Sequence, residues 1–210
     1  MDNQMTILSS EAVMAQEKAA IDIQISTARA YPRNLSEFLQ KVETYAGLDT
    51  ETAEDCFYAL KRGRGDEQKV IDGLSVRFAE IIASCWGNLR VQTRIIGIDE
   101  KMITAQGVCH DLESNVAISA EVKRRITDKE GRRFSDDMIV VTGNAASAIA
   151  FRNAVLKVVP KAVTKNIVEK VKQISLGKEM DVETARTNAI EYFKKLGVSE
   201  AKLFEHLEVK

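Results

Sequence analysis

The fold is decided by three consecutive runs. They are Asn88-Leu89-Arg90-Val91-Gln92-Thr93-Arg94-Ile95-Ile96, Met102-Ile103-Thr104-Ala105-Gln106-Gly107-Val108-Cys109-His110-Asp111, and Asn115-Val116-Ala117-Ile118-Ser119-Ala120-Glu121-Val122-Lys123-Arg124-Arg125-Ile126. In each, apolar and polar residues alternate with the period of two that belongs to a strand with one covered face. The connections are short, Gly97 to Lys101 and Leu112 to Asn115, so an antiparallel meander is the simplest topology. Asp128-Lys129-Glu130-Gly131 reads as a tight turn, which makes 122–134 a basic β-finger ending in Arg132-Arg133. A long helix follows from about Asp136, is interrupted at Pro160 and fades at Gly177. The fold class expected is α+β, with a β-β-β-α core flanked by N-terminal helices and a small C-terminal helical appendage.

Working outward, Val13, Met14, Ile21 and Ile25 recur at helical spacing over 10–30 until Tyr31-Pro32. Asn34 stands three residues before Glu37, a capping-box spacing, and opens a helix that Gly47 closes. A short helix is expected over 50–60, a mobile loop over Lys61-Arg62-Gly63-Arg64-Gly65-Asp66-Glu67, and a helix over 75–85. Two short helices, 181–196 and 199–208, are expected after the core, split at Gly197 and capped by Ser199. The divisions are 1–60, an N-terminal helical region; 61–177, the β-β-β-α core; and 178–210, the appendage.

The 210 residues are 45% apolar and 29% charged, with net charge −1. That near-neutrality hides an asymmetry. Residues 1–60 hold 4 Lys/Arg against 10 Asp/Glu (net −6), 61–172 hold 20 against 14 (net +6), and 173–210 hold 6 against 7 (net −1). A basic middle between acidic flanks points to an anionic partner for the middle. Cys56, Cys85 and Cys109 have no paired spacing and read as reduced core thiols. No basic-then-apolar leader opens the chain and no run approaches bilayer length, so a cytoplasmic protein without membrane contact is expected.

Alternation sorts the strands into two faces. Arg90, Gln92, Arg94, Thr104, Gln106, Ser119, Glu121, Lys123 and Arg125 fall on a polar, basic face, while Leu89, Val91, Ile95, Ile103, Val116, Ile118 and Val122 fall on the core face. The basic face is either a solvated surface or one side of a groove for a nucleic-acid backbone. On the long helix, Gly143, Ala146, Ser147, Ala150, Asn153, Ala154 and Lys157 share an arc of small residues, and Val141, Ala148, Ile149, Val155, Leu156 and Val159 lie opposite. The large arc is expected to bury itself; the small arc would admit another backbone, either a helix or a nucleic-acid strand. Arg152 projects within the apolar arc and needs a partner, Glu80 or a phosphate. Lys161, Lys165 and Lys172 extend the positive surface beyond Pro160, individually as solvated helix charges.

An enzyme is also considered. Asp111 followed by Glu121-Val122-Lys123 loosely matches the carboxylate spacing of metal-dependent nucleases, without the proline that usually precedes the first acid. His110 and His206 are the two histidines, and no cysteine pair completes a zinc set. The chain carries no phosphate loop, nucleophile elbow or dinucleotide fingerprint. The expectation is a non-enzymatic protein without metal or cofactor.

Gly73-Leu74-Ser75-Val76-Arg77-Phe78-Ala79-Glu80, Trp86-Gly87-Asn88, His110-Asp111-Leu112-Glu113, and Thr142-Gly143-Asn144-Ala145-Ala146-Ser147 through Arg152-Asn153-Ala154 to Pro160 resemble a group of phage proteins. That group is similar in layout to the phage single-strand annealing proteins of the RecT and Redβ type. The resemblance covers roughly 50–175 and Leu196-Gly197-Val198-Ser199, and the 61–70 loop is longer and more charged than the pattern. It implies a core that assembles side by side into rings or helical filaments. Single-stranded DNA would be held between finger and long helix and annealed without ATP, in the cytoplasm of a bacterial host. It implies work beside a phage exonuclease and contact with the host single-strand-binding protein through the C-terminal tail. The residues expected to bind DNA are Arg90, Arg94, Lys123, Arg125, Arg132, Arg133, Arg152, Lys157 and Lys161. The rivals are the metal-dependent nuclease and a structural phage oligomer indifferent to DNA.

Overall fold

Side-chain caps set five helix starts. Ser9, Asn34, Asp49, Ser75 and Ser135 each accept a backbone N–H from the first turn of, respectively, α1 (Ser10–Ala30), α2 (Leu35–Ala46), α3 (Thr50–Asp55), α4 (Val76–Trp86) and α5 (Asp136–Val158). The sixth, α6 (Lys161–Ser175), follows Pro160, which breaks the chain after α5 and stands at the N-cap in an extended conformation without a side-chain cap. The computed structural model describes residues 9–62 and 69–176, together with Ile190, Phe193, Lys194, Val198, Ser199 and Lys202. The two expected tail helices therefore lie almost wholly outside the described residues.

Strands β3 (Leu89–Ile98), β4 (Met102–Asp111) and β5 (Val116–Arg125) form the expected antiparallel meander in the order β3-β4-β5. Arg94 pairs with Gln106 and Gln106 with Glu121, so the basic residues do share one face. Opposite them Ile103, Ala105, Gly107, Cys109 and Asp111 are buried in strict alternation. At 126–134 the chain turns tightly, with Asp128 N–H donating to the Arg132 carbonyl and a single bridge from Thr127 to Arg133. The finger is thus a short hairpin at the start of α5.

Two expectations on the N-terminal side are corrected. The helix predicted over 50–60 stops at Asp55, and β1 (Phe57–Arg62) follows, because Phe57-Tyr58 favour an extended chain. Lys61 and Arg62, expected in a mobile loop, are strand residues: β1 pairs antiparallel with β2 (Lys69–Leu74), Lys61 opposite Val70 and Arg62 opposite Lys69. Residues 63–68 lie outside the described residues. β1 also runs across the 60/61 division.

The largest apolar cluster draws Phe38 and Val42 from α2, Phe78 and Ile82 from α4, Cys109 from β4, Val155 from α5 and Val171 from α6. The N-terminal helices α2 and α3 thus share a core with the sheet and the long helix. The three cysteines are free and buried, and burial, helped by neighbouring carboxylates, pushes the Cys56 and Cys109 thiols up to about 11.

Both arcs of α5 are used for packing: the small arc takes the sheet, and the large arc is buried only toward its C-terminal half. Ala146 and Ala150 are fully buried with Ala105, and a Cβ on Gly107 would collide with the Ala150 carbonyl, so the small arc lies directly on the inner face of the sheet. Val140 and Val141 are exposed, and Val155 and Val159 are covered where α4 and α6 meet the helix end. With small residues on both sides, helix and strand backbones approach closely and gain dispersion contacts that branched side chains would prevent. The small stripe is therefore an intramolecular contact. The 23-residue α5 is, by length and composition, apolar enough to cross a membrane, which amends the reading that no run comes close. About a third of that apolar stretch is buried, on the sheet and in the main core, while Met138, Val140 and Val141 are exposed.

Candidate nucleic-acid interface

Asp111 anchors the end of the sheet nearest the N-terminal helices. Its carboxylate accepts from Arg33 Nη2 at 2.9 Å, Trp86 Nε1 at 3.1 Å and the Glu113 backbone N–H at 3.0 Å. Arg33 also donates Nε to the Trp86 carbonyl at 2.8 Å and stacks 4.0 Å from the Trp86 ring centroid. Glu113 accepts from the Arg33 backbone N–H and from the Asn88 side chain. Gly87, at φ +70°, lets the chain leave α4 and pass directly into this cluster. Burial alone would raise the Asp111 carboxyl, but the Arg33 and Trp86 hydrogen bonds and the Arg33 charge outweigh it and hold it below the usual carboxylate range.

This geometry separates the candidate nuclease residues. Asp111 lies on the inner face, committed to Arg33 and Trp86, while Glu121 and Lys123 project from the outer face. Asp111 pairs with Val116, five residues before Glu121, roughly 17 Å along the strand. The structure does not bring the three together. His110 stands on the outer face, its Nε2 3.2 Å from Asn115 Oδ1, and no group of three possible metal ligands occurs among the described residues.

The residues expected to bind DNA fall into three groups. Arg90, Arg94, Lys123 and Arg125 occupy the outer sheet face. Of these, Arg90 is taken: it forms an ion pair with Glu17 of α1, also donates to Gln24, and its side chain is 16% exposed. Arg94 donates twice to Gln106 Oε1, at 2.8 and 3.0 Å, and remains exposed with Lys123 and Arg125.

The second group is the 126–134 turn. Arg132 pairs with Asp128 at 2.7 Å and lies 3.4 Å from Glu130, holding the Asp128 carboxyl below its ordinary value. Arg133 donates to the Asp99 carbonyl at 2.8 Å. Both arginines close the loops around the sheet end. The turn sits at the start of α5, and Arg152 lies 16 residues further on, about 24 Å away at 1.5 Å per residue. The turn and Arg152 therefore stand far apart along α5.

The third group surrounds the α5–α6 elbow. Arg152 does not meet Glu80, which pairs instead with Arg77 at 2.8 Å on the exposed face of α4. Arg152 lies with its guanidinium carbon 5.0 Å from the Tyr58 ring centroid and donates to Asn153 Oδ1 at 3.0 and 3.2 Å. Below it, at i+4 and i+7, Leu156 and Val159 lead into a cleft of about 460 Å³ between β2 and α6, floored also by Phe57 and Leu74. Lys161, Lys165 and Lys172, at i, i+4 and i+11 of α6, line one wall. Asp72 and Glu169 also border it, and none of the three lysines forms a salt bridge among the described residues. Lys157 is exposed, turned from the Arg152 line by about 140° at 100° per residue.

The hairpin beside this basic cleft is β1–β2, which the sequence reading did not contain. Its signal was present in Phe57-Tyr58 and Val70-Ile71 on either side of Gly63 and Gly65. Comparison with protein-family profiles, curated proteins and solved structures found no match for the chain.

Proposed function

We propose that the protein binds single-stranded DNA and anneals complementary strands without ATP, as a phage or prophage protein of the RecT and Redβ type. One observation carries the reading: Lys161, Lys165 and Lys172 line a single apolar-floored cleft beside the β1–β2 hairpin and make no salt bridge among the described residues, with Asp72 and Glu169 also on its border and Arg152 stacked on Tyr58 of the same hairpin. Cations in a row neutralise successive phosphates, and counterion release drives the association. An apolar floor tolerates sugars and base faces of any sequence, which is what annealing of arbitrary strands requires. The nuclease reading gains no support from a carboxylate pair split across the sheet.

The protein works as a homo-oligomer, a ring or helical filament, in the cytoplasm of a bacterial host. The exposed Ile95, Ile96 and Ile98 on the edge strand β3 support association between copies. A phage exonuclease and the host single-strand-binding protein are the partners proposed for residues 178–210. The reading requires no cofactor or metal.

The test is an annealing assay with dye-labelled complementary oligonucleotides, without ATP and with magnesium present. Wild-type protein accelerates duplex formation and leaves both strands at full length. Arg152→Ala melts within about 1 kcal/mol of wild type, since a cation–π contact at a part-exposed site contributes no more. It weakens strand binding by about 1.5–3 kcal/mol. Failure to accelerate annealing, or shortening of the strands by magnesium-dependent cleavage, would overturn the proposal.

A further inference from the structure

The ion pair between α1 and the sheet has no role in the cleft, and α1 itself is weakly held. Of its 21 residues Ala28 alone is fully buried, Ala20, Ile21 and Ile25 are half-buried, and Val13, Met14 and Ile23 are exposed by 45, 70 and 66%. A helix with so little apolar burial stays in place through few contacts and opens at low free energy. Its contact with the outer face runs through Glu17 and Gln24, seven residues apart on one side of the helix, both on the Arg90 guanidinium. Its C-terminal end is fixed: the Tyr31 carbonyl accepts from Asn88, and Arg33 is locked in the Asp111 cluster. Movement of α1 would therefore pivot at Tyr31-Pro32.

The surface under Glu17 continues as a row suited to an anion. Gln92, Arg94, Lys123 and Arg125 are exposed on the same face, with Glu121 as the carboxylate among them. α1 itself carries Glu11, Glu17 and Asp22 against Lys18 and Arg29, so its hold on the face is the local Glu17–Arg90 pair and not a net field. A carboxylate and a phosphate oxygen present the same acceptor to a guanidinium.

We propose that α1 is a displaceable strap over a second strand-binding surface, on which Glu17 holds the place that a phosphate of single-stranded DNA takes on Arg90. The inference rests on the reading of the protein as a single-strand binder. It gives the molecule two basic surfaces on opposite sides of the sheet, the cleft being open and the outer face guarded. An ion pair with one partner well exposed is easily exchanged, so removing the Glu17 charge should alter affinity modestly.

The experiment compares full-length wild type, Glu17→Gln and Glu11→Gln. Glu11 lies on the exposed first turn of α1 and forms no salt bridge among the described residues, so its substitution changes net charge equally without touching Arg90. Dissociation constants for a defined oligonucleotide are measured at fixed salt. Hydrogen exchange of residues 10–30 is followed with and without that oligonucleotide. Glu17→Gln tightens binding about two- to fivefold, the worth of an exposed pair. Glu11→Gln does not, and DNA speeds exchange in α1. Equal effects of the two substitutions, or slower α1 exchange on binding DNA, would overturn the strap. Absence of single-strand binding in all three proteins would instead overturn the function on which it rests.

Discussion

The Asp111 carboxylate accepts from the Arg33 guanidinium and the Trp86 indole while its side chain is 5% exposed. Removing it leaves the indole N–H without its acceptor and a largely buried guanidinium with only the more distant Glu113 carboxylate, at 3.6 Å, as a counter-charge. Asp111→Ala should cost about 3–5 kcal/mol in chemical denaturation, the usual penalty for breaking a buried pair. The same site gives a pH signature. Its carboxyl is held below the ordinary 3.8, so the unfolded chain takes up the proton first. The stabilisation is complete above about 4 and is lost as pH falls toward the folded-state value. Unfolding midpoints measured from pH 6 down to pH 2.5 should therefore fall more steeply for wild type than for Asp111→Ala. Parallel curves would contradict the cluster. The Trp86-Gly87-Asn88 and His110-Asp111-Leu112-Glu113 motifs were visible in the sequence, but their purpose was not. The residue that joins them, Arg33, lies 78 positions from Asp111, and no local pattern connects the two.

At the scale of elements, β3, β4 and β5 were legible to within two residues because a half-covered strand writes its period into the chain. The arcs of α5 were equally legible, but the partner of the small arc was not. Val155 and Val159 of the large arc do turn into the core, while Gly107 and Ala105 leave room for the small arc, and that complementarity exists only between two elements. Gly107→Val should destabilise the protein by about 1–3 kcal/mol, because the new side chain meets the backbone of α5 and the helix has to lift. Gly97, with open space where a Cβ would stand, is the matched control. Thermal unfolding of Gly107→Val and Gly97→Val side by side checks this, and equal losses would argue against close packing of helix on sheet. The β1–β2 hairpin was missed because Phe57-Tyr58 directly continue a capped helical turn, and six-residue strands leave too little periodicity to separate them from it.

Across the whole molecule, the charge asymmetry of the sequence has a structural counterpart that composition could not locate. The acidic N-terminal region lays Glu17 on the outer sheet face, and the basic middle divides between that face, the 126–134 turn and the α5–α6 cleft. Nine cations expected in one groove are distributed over two sides of a sheet. Several of them, Arg90, Arg132 and Arg133 above all, are occupied by intramolecular partners. Lys165 and Lys172, taken singly as solvated charges, join Lys161 along the cleft because α6 repeats them on one face. The most direct measurement is the salt dependence of single-stranded DNA binding, for wild type and for the combined Lys161→Ala, Lys165→Ala, Lys172→Ala protein. Each neutralised phosphate contributes roughly 0.7 to the log–log slope. The wild type should therefore weaken steeply with salt, and the triple variant should show a slope smaller by about 2 with its folding intact. A flat wild-type response, or a triple variant with the wild-type slope, would contradict a DNA-binding cleft at the α5–α6 elbow.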